Sequence, residues 1–159
     1  MSKQKMMDLL YELMKNSKRS DRELAKVVNV SQPTITRMRK NLEKMEYICE
    51  YTIVPAVEKL GFEITALTFL STSTRPKDVK EMQKWISESR KIIFSSLGEG
   101  LNGKTLLLVS VHRDFTDFSE FTREVRGILG LKGASMESFL VSVKTDMIKH
   151  FSFKNLERV

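Results

Sequence analysis

The chain has 159 residues, enough for one ordinary domain or two small ones, and 41% apolar with 30% charged residues exclude a disordered tail. A net charge of +7 and a pI near 9.5 favour an anionic partner such as nucleic acid over an acid-rich surface. A single cysteine, Cys49, excludes an intrachain disulfide, and no apolar run is long enough for a signal peptide or a membrane span, so the expected compartment is the cytoplasm.

Residues 3–15 place Met6, Leu9, Leu10, Leu13 and Met14 at helical spacing, which predicts an amphipathic helix. Lys15, Lys18, Arg19 and Arg22 follow as a basic patch. Ser20 and Glu23 then form an S-x-x-E capping box, in which each side chain satisfies an orphan backbone N–H. Leu24, Ala25 and Val28 give the second helix one apolar face. Asn29 tolerates the left-handed backbone of a sharp turn, and Val30 can plug the corner behind it. Ser31 is a suitable N-cap for a third helix, and Pro33 is tolerated in its first turn.

Projected at 100° per residue, Ile35, Met38, Leu42 and Met45 fall within roughly a 90° arc of that third helix. Pro33, Thr36, Arg37, Lys40 and Lys44 face the other way, flanked by Thr34 and Asn41, and that face carries no carboxylate. Any bundle helix shows such periodicity. The cap, the turn and the one-sided charge together favour a helix–turn–helix, whose second helix enters a DNA groove. The expected contacts are Ser31, Gln32 and Pro33 at the helix start, with Thr34, Thr36, Arg37 and Lys40 toward base edges or adjacent phosphates. Lys44 and the Lys15–Arg22 patch, Arg19 and Arg22 included, are expected on the DNA backbone.

Residues 47–54, YICEYTIV, are β-branched and aromatic, and read as a short strand or wing closing a DNA-binding domain over 1–54. Residues 55–61 form a linker ended by Gly61. Strands then alternate with helices: strand 62–72, helix 76–87 opened by Pro76, strand 91–98, strand 104–112, helix 114–129 capped by Asp114, and strand 135–143. The fourth helix would bury Val79, Met82, Trp85 and Ile86; the fifth, Phe115, Phe118, Phe121, Val125 and Ile128. This β-α-β-β-α-β order makes 62–143 a ferredoxin-like domain and the whole chain α+β, with 144–159 a tail of unassigned structure. Two helices cover one sheet face only. The first and third strands are apolar on both faces, which predicts that a second copy covers the other face in a homodimer. Such a dimer presents two reading helices to a palindromic double-stranded DNA site.

A winged helix–turn–helix joined to a βαββαβ domain resembles the Lrp/AsnC, feast/famine family of transcriptional regulators. The run ELAKVVNVSQPTITR (23–37) is close to the family's E-L-A-x-x-V-x-x-S-x-x-T-V-x-R, and Leu42-Glu43, Ile48, Tyr51 and Leu60-Gly61 follow at the family's spacing. The resemblance implies a sequence-specific DNA-binding regulator, dimeric through the sheet domain and often assembled into larger rings such as octamers. It also implies a small-molecule effector, usually an amino acid, near the loop between the second and third strands, here Gly98, Glu99, Gly100, Asn102 and Gly103. Where the family carries an aspartate after that loop's glycine, alignment on the strand places Thr105 and alignment on the loop places Asn102; Glu99 is the carboxylate nearby.

Two rival functions fit the chain less well. Sirohaem decarboxylases resemble this family and use histidine, yet this chain offers only His112, expected in a surface or packing role, and His150, in the tail. A decarboxylase would also not need the charged helix face, and the second rival, a scaffold that has lost DNA binding, is separated from a regulator by DNA affinity and its salt slope. No enzyme activity, cofactor or metal site is therefore expected.

Overall fold

The computed structural model describes residues 2–73, 75–100, 102–128, 131–145 and 148–156. The chain divides into two compact units, one from Met1–Pro55 with Lys149–Val159, the other from Ala56–Ile148.

The first unit holds three helices: α1 (Lys3–Lys15), α2 (Asp21–Val28) and α3 (Gln32–Lys44). Both halves of the capping box form at Ser20 and Glu23, which sets where α2 begins. It ends at Asn29, whose φ of 55° is the left-handed conformation a C-terminal asparagine tolerates. The Lys5 ammonium, reaching across from α1, donates to the Val28 carbonyl at 2.7 Å and satisfies an acceptor left open in the last turn of α2. Leu9, Leu24, Ile35, Met38 and Leu42 are fully buried together, with Leu10, Val30 and Ile48 packed at the margin. Met45 leaves the expected apolar stripe: it lies past the helix end and is 55% exposed.

The strand expected at 47–54 does not form. Residues 48–56 have no regular structure, and Tyr51, Ile53 and Val54 are exposed. Their β-propensity describes a fit to a pleated surface, and no strand edge stands beside them.

In the second unit a 3-10 turn, Val57–Leu60, ends at Gly61 with φ 85°. There follow β1 (Ile64–Leu70), α4 (Pro76–Glu88), β2 (Ile92–Gly100), β3 (Lys104–His112), α5 (Phe115–Gly127) and β4 (Met136–Ser142). The antiparallel sheet has the order β2-β3-β1-β4, as the split βαβ pattern requires. One face packs Leu70, Leu106 and Leu108 against Met82 of α4 and Phe121 and Val125 of α5. On the opposite face, registered pairs align Phe94, Val109, Leu67 and Phe139 across all four strands. No element of the second unit covers this row among the described residues, and its end members Phe94 and Phe139 are 46% and 65% exposed.

Three expectations change in detail. Phe115 is 64% exposed, because it opens α5 one residue after the Asp114 cap and points off the end of the sheet-facing stripe. The described helix stops at Gly127, and residue 129 lies outside the described residues. Strand β2 runs on through Gly98, Glu99 and Gly100, so these belong to strand and not loop; Asn102 and Gly103, with φ of 58° and 78°, make the reversal. In the tail, residues 146, 147 and 157–159 lie outside the described residues, while 149–156 cluster with the first unit. Among the described residues no helix is long and apolar enough to cross a membrane.

Candidate nucleic-acid interface

With Ile35, Met38 and Leu42 committed to the core, α3 exposes Gln32, Pro33, Thr36, Arg37, Lys40 and Lys44. Among the described residues Arg37, Lys40 and Lys44 make no hydrogen bond or ion pair within the protein. Three free cations on one helix face present an unscreened positive stripe. Tyr51 donates to the Glu43 carboxylate at 2.8 Å, which ties down the acid of α3's last turn beside that stripe. Burial pushes the Tyr51 phenol above its ordinary pKa, so it stays a donor.

At the helix start, Ser31 occupies the N-cap position without capping a backbone N–H. Its hydroxyl instead pairs with that of Thr34 at 2.8 Å. Pro33 lacks an N–H and reduces the demand for a cap there.

Asp21, in the first turn of α2, was not among the expected site residues. It accepts from Thr36 at 2.6 Å on one oxygen and from Arg39 at 2.8 Å on the other, pinning α2 to α3. The Thr36 hydroxyl, then the Arg39 guanidinium, hold its carboxyl below the usual carboxylate range, against the opposing effect of burial. Fifteen residues separate Asp21 from Thr36, a distance at which no local sequence signal reports a contact.

The second basic patch is weaker than its composition. Glu12 on α1 holds both Lys15 and Arg19, and those two contacts keep the Glu12 carboxyl below its ordinary value. Lys18 and Arg22 remain exposed, and among the described residues the Arg22 side chain has no partner.

The expected effector residues divide between two places. Gly98, Glu99 and Gly100 line an open concavity of about 310 Å³ with Phe69, Phe94, Ser96, Leu97, Lys104 and Thr105; Asn102 and Gly103 are not in its wall. Lys104 is the second charge there, 4% exposed at its side chain and bonded to Ser135 and Glu137 at 3.0 and 2.8 Å. Glu99 is exposed and, among the described residues, unpaired.

His112 is a core residue and not a surface one. It is fully buried on β3, edge-on to Phe118 and near Phe121, with its Nε2 and Ser110 Oγ 2.8 Å apart. Its Nδ1 has no hydrogen-bond partner and lies 3.8 Å from the Asp117 carboxylate. Burial pushes the imidazole pKa below 6.5, Lys91 adds to this, and Asp117 opposes it. The unfolded chain therefore takes up the proton more readily than the folded one. Stability is complete above pH 6.5 and should decline as pH falls through that value toward the lower folded pKa. Calorimetry from pH 7.5 to 5 should show the second unit's melting temperature falling, and falling less in a His112→Gln variant. An equally steep fall in the variant would assign the loss to other groups.

Residues 4–48 match the winged helix-turn-helix DNA-binding family. Along most of its length the chain is similar to an HTH-type transcriptional regulator, itself uncharacterized, from Pyrococcus furiosus: 28% identical, covering 87% of this chain and 90% of that one. Its fold is that of an AsnC family transcriptional regulator from Agrobacterium tumefaciens, with a TM-score of 0.78 at 18% identity over 94% of each chain. The fold also matches that of a Neisseria meningitidis transcriptional regulator solved with L-methionine, with a TM-score of 0.80 at 19% identity over 94% of this chain and 93% of that one.

Proposed function

We propose that this DNA-binding transcriptional regulator, a winged helix–turn–helix chain of Lrp/AsnC fold, works in the cytoplasm as a homodimer. In that dimer two copies of α3 read a two-fold-related duplex, and the sheet domain takes a small effector. The observation that carries the reading is the free cationic face of α3. Arg37, Lys40 and Lys44 have no internal partner among the described residues, and phosphates and guanine edges are what such a face complements. The uncovered row Phe94–Val109–Leu67–Phe139 supports pairing of two sheets face to face. For the effector, the exposed Glu99, unpaired among the described residues, offers a carboxylate in a concavity beside Phe69, Phe94 and Leu97. That suits an ammonium group carried with an apolar side chain, as in the L-methionine of the Neisseria protein.

Fluorescence anisotropy on duplex from upstream of the protein's own gene, against scrambled duplex across a salt series, tests this reading. Specific binding should weaken steeply with salt, and L-methionine or related amino acids should shift its midpoint. Arg37→Ala should cost about 1–3 kcal/mol on the specific duplex, and Lys44→Ala should mainly flatten the salt slope by about one unit. Equal binding to both duplexes would indicate an architectural coat, and no binding at low salt would leave a scaffold role. Unchanged affinity in Arg37→Ala would remove that residue from the interface.

A further inference from the structure

Thr36 stands exposed on α3 between Pro33, Arg37 and Lys40, on the face assigned above to DNA. A threonine hydroxyl has one proton to donate and two lone pairs to accept with. Two protein atoms lie within its reach: the Asp21 Oδ2 at 2.6 Å and the Gln32 carbonyl at 3.3 Å. Both only accept. A carbonyl carries no proton, and Asp21, with its pKa held down, is an ionised carboxylate at neutral pH. Whichever oxygen takes it, the hydroxyl proton stays inside the protein, and the short charge-assisted bond to Asp21 is the stronger of the two. Arg39 grips the other oxygen of Asp21 at 2.8 Å, with both side chains about one-fifth exposed, so the carboxylate cannot turn away without breaking that ion pair. Thr34 differs. It shares one hydrogen bond with Ser31, and two hydroxyls joined by one bond still have a proton to spare.

We propose that Thr36 reads DNA as an acceptor only, selecting an exocyclic amino group on a base edge, and that Asp21 is the positioning residue that imposes this selection. In the major groove only adenine N6 and cytosine N4 offer such a donor. Guanine presents N7 and O6, and thymine O4, all acceptors that a hydroxyl without a free proton cannot engage. Phosphate oxygens are excluded for the same reason. The inference rests on α3 reading the duplex as proposed above.

The test selects duplexes from a randomised library with the full-length protein, its Thr36→Val variant and its Asp21→Ala variant in parallel. Wild type should enrich a motif with one position restricted to adenine or cytosine. Thr36→Val keeps the shape without the hydroxyl, and should keep the rest of the motif while losing the preference there. Asp21→Ala leaves only the longer, uncharged bond to the Gln32 carbonyl, which a base acceptor can outcompete, and should admit guanine or thymine at the same position. On the selected duplex, replacing that base by its analogue without the amino group should weaken wild type about tenfold and leave Thr36→Val unchanged. A Thr36→Val variant that retains the wild-type motif and the same sensitivity to the missing amino group overturns the inference and leaves the regulator reading intact. A wild type that enriches no motif removes both. Should circular dichroism show that Asp21→Ala has lost the three-helix unit, the analogue measurement on wild type and Thr36→Val still decides the matter. A base preference at one position is something a merely structural Asp21–Thr36 contact would not move.

Discussion

Replacing Leu67 with glutamate is expected to leave the protein monomeric and to cost more specific DNA affinity than any single change on the exposed face of α3. Leu67 sits on the central strand β1, opposite Val109 on one side and Phe139 on the other, in the apolar row that nothing in the second unit covers among the described residues. In a monomer the new carboxylate would stay in contact with water, so the fold should tolerate it. Between two sheets packed face to face it would be buried without a partner, and a two-fold axis brings it in twice; each unpaired buried charge costs several kcal/mol. Losing the dimer also removes the linkage of two half-sites, so affinity should fall toward that of one helix alone. Light scattering on the variant and anisotropy on the specific duplex measure the two consequences. A Leu67→Glu protein that remains dimeric would move the pairing surface elsewhere, for example to the exposed edge of β2.

The second large effect is expected from Ile35→Ala. Ile35 is fully buried in the one cluster that joins α1, α2 and α3. Deleting its outer carbons removes transfer free energy and leaves a cavity, together about 2–5 kcal/mol. A three-helix unit of this size has only about 3–8 kcal/mol to lose, at 0.05–0.15 kcal/mol per residue. Most of its stability would therefore go, and DNA binding with it. The second unit has a separate core around Leu108 and Phe121, so its thermal transition should persist. Ile35→Val, which removes one carbon, should cost about 0.5–1.5 kcal/mol and serves as the graded control. Simultaneous loss of both transitions would show the two cores to be coupled.

What was legible in the sequence follows the range of each interaction. The capping box spans three residues and its chemistry is written in them, so the start of α2 could be read directly. Strand β3 is a continuous apolar run bounded by Lys104 and His112, and its expected limits, 104 and 112, are the observed ones. The failures are of another kind. Residues 47–54 have strand composition, but composition does not say whether an edge lies alongside. Gly98 and Gly100 resemble loop residues, yet Asn102 and Gly103 suffice for the reversal and release them to β2. The Arg19 charge reads as free until Glu12, on α1, is found paired with it. Thr36 counts as a free hydroxyl until Asp21 is placed beside it. Net charge and helix faces can be projected from the chain; which groups have already spent their protons or charges on one another cannot.

The residues where the chain enters and leaves the sheet are immediate neighbours. The Val143 N–H donates to the Glu63 carbonyl at 2.9 Å, and the Lys144 ammonium reaches the Glu63 carboxylate at 2.5 Å. The three-helix unit, meanwhile, gathers chain from both sides of that sheet, residues 149–156 clustering with 1–55. Closing so long an intervening loop from random coil would cost roughly 4 kcal/mol in chain entropy. Once β1 and β4 have zipped together the two outgoing strands already lie side by side, and the last segment meets its partners at an effective concentration of millimolar order. The second unit is thus a guest inserted into its host at a single point, and a domain with adjoining ends is one that can be excised, or exchanged for another, while the host chain is rejoined across a short gap.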